Sequence, residues 1–86
     1  MNTAFMLMAQ YDGRAIIPLE DVRRDYFSHL TIENFRRKVS NGSIALVVTT
    51  LEGSQKAARG VHLSDLAAYI EAQRQKALTD HRKLHG

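Results

Sequence analysis

Residues 31–41, TIENFRRKVSN, are the stretch that decides the fold. Thr31 is a predicted helix N-cap, and the Asn41-Gly42 pair is a typical helix end. Ile32, Phe35 and Val39 recur at helical spacing, so they predict an inward face. A wheel of about 100° per residue turns the opposite face toward solvent, and that face carries polar and basic side chains: Glu33, Asn34, Arg37, Lys38 and Asn41.

A second amphipathic helix is predicted just before this one, beginning at Pro18. Its inward stripe has the spacing i, i+3, i+7 and i+8 and consists of Leu19, Val22, Tyr26 and Phe27. Glu20 and Asp21 fall in its first turn, where the helix dipole favours negative charge. Residues 28–30 then leave only three positions for the connection. The sequence therefore predicts two helices joined by a tight turn.

The pattern changes period after Gly42. Residues 44–51, IALVVTTL, are apolar and rich in β-branched side chains and predict a strand, and residues 61–63 supply the return strand. The loop between them, residues 53–60, has glycine at both ends and carries two cations. A further helix is predicted to open at Ser64 and Asp65, with an inward face of Leu63, Leu66, Ile70 and Ala77.

The first helix, capped in this interpretation by Thr3, is apolar around most of its circumference because it carries Phe5, Leu7, Met8, Ala9 and Tyr11. Two hypotheses stay open. The helix either packs only on its own core or also uses its surplus face in a homodimer. Asp12-Gly13 then breaks the chain before a short extended segment, residues 15–17.

This order predicts an α+β, mostly helical chain with a winged helix-turn-helix of the excisionase type and an extra N-terminal helix. We expect one domain over residues 1–78, followed by a polar, frayed tail over residues 79–86.

Charge is concentrated on the segment from Asn34 to His62. The 86-residue chain has 12 Lys and Arg against 9 Asp and Glu, a net charge of +3. The segment alone holds five basic residues and one acidic residue, a net of +4. Such a basic run can simply be the solvated face of a helix. A capped helix followed by a basic loop favours DNA, because both elements that would touch phosphates then carry the charge.

The residue types allow a division of roles. Arg can pair with guanine, Asn with adenine and Lys with phosphate, while Arg36 lies nearer the core and suits the backbone. The helix over residues 31–41 would enter the major groove, and the loop over residues 53–60 would lie on the backbone or in the minor groove. The predicted DNA-binding residues are Thr31, Glu33, Asn34, Arg36, Arg37, Lys38, Asn41, Ser54, Gln55, Lys56 and Arg59.

Other chemistries find little support in the sequence. His81 and His85 have the i, i+4 spacing of metal ligands but lack a third ligand, and zero cysteines exclude thiolate sites. His29 and His62 suit a phosphate contact or a turn or edge-strand role equally well. No catalytic motif is present, so we expect neither an enzyme nor a cofactor. The apolar run over residues 4–9 is too short to cross a bilayer, which favours a cytoplasmic protein with no membrane contact.

Three segments together resemble the pyocin activator protein PrtN family. They are MNTAFMLMAQYDGRAIIPLEDV at residues 1–22, RDYFSHLTIENFRRKV at residues 24–39 and GSQKAARGVHLSDLAAYIEAQR at residues 53–74. The resemblance implies a positive transcriptional regulator that binds double-stranded DNA upstream of pyocin or prophage genes and recruits RNA polymerase.

Two other functions stay open. One is an architectural factor that bends DNA as excisionases do, and the other is a protein-interaction module whose charge only maintains solubility. Because one small domain covers few base pairs, a DNA-binding function further predicts a homodimer or a cooperative array.

Overall fold

The computed structural model describes residues 2–53 and 59–85. It is an α+β structure, mostly helical, as the sequence predicts. Its described elements are α1 (Thr3–Gln10), β1 (Ile16–Pro18), α2 (Leu19–Tyr26), α3 (Ile32–Ser40), β2 (Thr49–Thr50), β3 (Arg59–His62) and α4 (Leu63–His85).

The three strands form one antiparallel sheet in the order β1-β3-β2. Ile17 pairs with Val61 across β1 and β3, and Thr49 pairs with Gly60 across β2 and β3. A Cβ atom at Gly60 would lie 2.6 Å from the carbonyl oxygen of Ile17, so no larger residue fits between the strands without movement.

One core joins the four helices of the described residues with β1 and β3. Its five largest fully buried side chains come from five different elements and are Phe35, Ile17, Leu66, Val22 and Val61. The ring of Phe35 lies 4.9 Å from that of Phe27, centroid to centroid, and Phe27 in turn lies 5.9 Å from Tyr69 of α4. Such tilted aromatic contacts stabilise the core beyond the effect of the apolar area that these rings bury.

Helix α1 is fastened to the rest of the protein at both ends. Asn2, not Thr3, is its N-cap, since the Asn2 side chain accepts a hydrogen bond from the amide of Ala4. The Thr3 hydroxyl instead donates to Glu71 of α4. At the other end the buried Tyr11 donates its hydroxyl to Asp25 of α2, 2.7 Å away.

The predicted strand over residues 44–51 is wrong for most of its length. Only Thr49 and Thr50 pair with another strand. Ile44 and Leu46 are buried, but the amide of Ile44 bonds to Lys38 and that of Leu46 to Ile44. Residues 44–47 thus alternate between buried and exposed positions without pairing with another strand, so their composition does not indicate sheet pairing here. The return strand exists, although Leu63 belongs to α4 and the strand ends at His62.

Three further expectations are corrected. The tail is not frayed, because α4 continues through residues 79–85, which are exposed. Ala77 and Tyr26, both predicted to face inward, are exposed. None of the helices in the described ranges is both long and apolar enough to span a bilayer.

Candidate nucleic-acid interface

Helix α3 is held in place by its first turn and by one inward side chain. The Thr31 hydroxyl accepts a hydrogen bond from the amide of Asn34, so the predicted N-cap is confirmed. Arg23 of α2 donates to the carbonyl oxygen of Leu30 at 3.0 Å, which fixes the turn that leads into α3. Phe35 anchors the helix in the core. These contacts determine which face of α3 meets solvent.

That outer face is polar and exposed. Glu33, Asn34, Arg36 and Arg37 are exposed, and Lys38 is half-buried. The Arg37 guanidinium donates to the side-chain oxygen of Asn34 at 3.2 Å. The wheel drawn from the sequence is therefore confirmed for Glu33, Asn34 and Arg37, whereas Arg36 is more exposed and Lys38 less exposed than it predicts.

The side-chain oxygens of Asn34 and Asn41 already accept hydrogen bonds from other groups of the protein. Asn41 is the C-cap of α3, and its oxygen accepts a hydrogen bond from the amide of Ser43 at 2.9 Å. The oxygen of Asn34 is engaged by Arg37. Bidentate pairing with adenine needs both the oxygen and the amino group of an Asn side chain. Arg37 is therefore better prepared than either Asn to contact a base.

Two predicted residues that are distant in sequence meet in one pocket. Arg36 of α3 and Arg59 of β3 both line a pocket of about 200 Å³ between α3 and the sheet. The hydroxyl-bearing Ser40 lies beside them, and the remaining walls are apolar and consist of Leu19, Val39, Leu46 and Val48. The predicted residues Ser54, Gln55 and Lys56 lie outside the described residues.

The cations of this surface differ from those of α2 in their partners. Within the described residues the ion pairs are Arg23 to Glu20, Arg24 to Asp21, Arg24 to Asp25 and Arg14 to Asp21, at 2.7–3.2 Å. In that same part of the chain Arg36, Arg37, Lys38 and Arg59 form no ion pair.

The field of Arg36 reaches α2. The pKa of Glu20 is lowered mainly by its hydrogen bond from Arg23, and the charges of Arg23, Arg24 and Arg36 lower it further. Arg36, Arg37, Lys38 and Arg59 have no carboxylate partner in the described residues, so their positive charges can attract a polyanion.

Comparison with known protein families gives an independent result. Residues 3–77 match the family described as pyocin activator protein PrtN. The chain belongs to this family. The resemblance seen in the sequence is thus confirmed, and membership indicates a regulator of pyocin genes. No curated protein and no solved structure matches the chain.

The structure of this PrtN-family protein adds two residues that the sequence argument missed. Ser40 lines the Arg36–Arg59 pocket, and its position four residues after Arg36 on the same helix is the signal that could have found it. Arg23 positions the turn before α3, and its i, i+3 spacing from Glu20 shows only the ion pair and not the bond to Leu30.

The histidines have structural environments. His62 occupies the N-cap position of α4, where its Nδ1 atom accepts a hydrogen bond from the amide of Ser64 at 3.0 Å, which favours the structural alternative for this residue. His29 is exposed beside Phe27. The rings of His81 and His85 lie 4.5 Å apart, and no group of three metal-ligating side chains occurs in residues 2–53 and 59–85.

Proposed function

We propose that this protein is a sequence-specific transcription activator that binds double-stranded DNA upstream of pyocin or prophage genes through a winged helix-turn-helix. The observation that carries the proposal is the set of cations on α3 and β3 that have no carboxylate partner among the described residues. The order of two helices, two paired strands and a further helix supports the same architecture.

Helix α3 enters the major groove in this proposal. Arg37 contacts a base, because its guanidinium lies on the exposed face and bidentate Arg–guanine pairing is the commonest specific contact. Arg36 and Arg59 grip one phosphate from the two sides of their pocket, with the Ser40 hydroxyl as a further donor. The loop over residues 53–60 follows the backbone or the minor groove.

Activation requires a contact with RNA polymerase by a surface that DNA leaves uncovered, and family membership is what supports this part of the proposal. The protein acts in the cytoplasm and performs no catalysis in this function. It needs no cofactor, because recognition and recruitment are binding events.

Binding to promoter fragments tests the DNA surface. Footprinting upstream of neighbouring pyocin or prophage genes would first define the site, and fluorescence anisotropy would then give affinities across salt concentrations. Arg37→Ala should lower the preference for the site over unrelated DNA by roughly tenfold or more. Arg36→Ala should weaken binding to both DNAs and reduce the salt slope by about one.

Arg24→Ala is the matched control, because it removes the same charge from α2, where Arg24 is paired with Asp21 and Asp25. If Arg24→Ala weakens binding as much as Arg36→Ala, net charge and not this surface governs affinity. A promoter fusion in cells tests activation. Bending of the bound DNA without reporter activation would identify an architectural factor instead.

A further inference from the structure

Helix α1 exposes more apolar surface than its own core requires. Leu7 faces inward and is only 2% exposed, whereas Phe5, Met6 and Met8 are 65%, 55% and 44% exposed. None of the residues from Thr3 to Gln10 is charged. A surface helix without a polar face is characteristic of an interaction site, because water solvates such a surface poorly.

A groove lies beside this helix. It is bounded by α1, by α4 and by Tyr26 at the end of α2, and it has a volume of about 610 Å³. Its apolar walls include Met6, Tyr26 and Ile70, and its rim carries the opposite charges of Glu71 and Arg74. The groove is large enough for an aromatic ring and apolar enough to hold one.

We propose that α1 and this groove form a two-fold-symmetric interface between two copies of the protein, in which Phe5 of each copy enters the groove of the other. This interface is independent of the DNA surface and goes beyond the proposed function. Of the two hypotheses for α1 that the sequence leaves open, the proposal therefore favours the homodimer.

Charge favours a second copy as the occupant. The chain has a net charge of +3, and in an isologous contact each residue lies near its own counterpart, so charged faces repel. Among the helices of the described residues, α1 alone has no charged side chain. At the rim, the two-fold axis can bring Glu71 of one copy toward Arg74 of the other, which favours pairing in both directions.

Area explains why the groove must take part. The exposed parts of Phe5, Met6 and Met8 amount to roughly 300 Å² per copy. A stable interface buries about 800 Å² on each partner. Contact between the two α1 helices alone therefore buries too little area. Insertion of Phe5 between Tyr26 of α2 and Ile70 of α4 buries further area.

Sedimentation equilibrium of the full chain without DNA tests the interface. The wild-type protein should show a monomer–dimer equilibrium below about 100 µM, a range in which weak homodimers are populated. Phe5→Glu and Phe5→Lys should each weaken dimerisation by roughly 30-fold or more.

Folding is checked by circular dichroism, and both variants should match the wild type because Phe5 is mostly exposed. Leu84→Glu is the control, since Leu84 is 79% exposed and lies on α4 away from the groove residues. The proposal is overturned if the wild type stays monomeric or if Leu84→Glu dissociates the dimer as strongly as Phe5→Glu. DNA is absent from the assay, so these outcomes do not depend on the proposed function.

Discussion

Helices α2 and α3 share a short sequence pattern, but their arginines have different partners. Residues 20–26 are EDVRRDY and residues 33–39 are ENFRRKV, so in both helices a buried apolar residue is followed by two arginines. Val22 and Phe35 occupy the same place in this pattern and are both fully buried. Two charge differences separate the segments, since Asp21 and Asp25 of α2 correspond to Asn34 and Lys38 of α3.

Those two differences determine what the arginines contact. In α2, Arg24 lies between Asp21 and Asp25 at 3.2 and 3.0 Å, and Arg23 pairs with Glu20 while holding the turn at Leu30. In α3 no carboxylate takes the place of either aspartate. An arginine pair is therefore structural on one helix and available to a polyanion on the next, and the neighbouring residues decide which.

The largest effect should follow from removing the anchor that the two helices share. Phe35→Ala empties a fully buried position that contacts Phe27, so the free energy of unfolding should fall by about 3–5 kcal/mol. Denaturant titration followed by circular dichroism measures this loss. Phe35→Leu, which keeps most of the volume, should cost far less. A loss for Phe35→Ala well below this range would mean that α3 is anchored elsewhere.

The next largest effect should come from giving α3 the charges of α2. Asn34→Asp combined with Lys38→Asp places in α3 the two aspartates that α2 has at positions 21 and 25. Arg37 then acquires one carboxylate partner three residues before it and another one residue after it. Affinity for DNA should fall by about 100-fold at moderate salt, because one cation is lost and two anions are added.

Stability should change by less than about 1 kcal/mol, because Asn34 is exposed, Lys38 is half-buried, and the helix dipole favours an aspartate in the first turn of α3 while it disfavours one in the last turn. Asn34→Gln combined with Lys38→Gln is the matched control, which removes one cation without adding anions. It should lose only about tenfold in affinity. If the aspartate variant binds DNA as tightly as the wild type, the difference between α2 and α3 has no bearing on function.

The sequence allowed α2 and α3 to be predicted because their signals are local. Thr31 caps the residue three positions on, and the spacing of Val22 and Phe35 within their helices fixes the inward face. The exposed position of Arg37 follows from the same geometry. The burial of Tyr26 was overestimated: its side chain is 37% exposed, and its hydroxyl donates to Gln10 of α1, a contact between distant residues.

The rest depends on contacts between segments that no local pattern encodes. β3 is the central strand because β1 pairs with its other edge, and Ile44 and Leu46 are buried without joining the sheet. The meeting of Arg36 with Arg59 depends on how β3 packs beside α3. Asn41 was correctly predicted at the helix end, but its capping role competes with the base contact also predicted for it.

The smallest effect should appear as a difference in acid sensitivity. Hydrogen bonds from Arg24 and, secondarily, from Tyr11 hold the pKa of Asp25 below its ordinary value. Asp25 therefore stabilises the folded state fully above the ordinary pKa of an aspartate, and this contribution is lost as pH falls through the lower pKa of the folded protein. No carboxylate of α3 in the described residues has such a bond. The loss of stability in acid should therefore arise at α2 and not at α3.

Tyr11→Phe measures this directly, because it deletes one hydroxyl that donates to Asp25 and leaves the buried ring in place. The variant should lose about 1 kcal/mol of unfolding free energy at pH 7 and less at pH values below the lowered pKa of Asp25, where its carboxyl takes up a proton. Tyr26→Phe is the control, since its hydroxyl donates to the neutral Gln10 and its cost should not change with pH. A loss for Tyr11→Phe that is equal at both pH values would mean that the Tyr11 hydroxyl stabilises the fold without relying on the charge of Asp25.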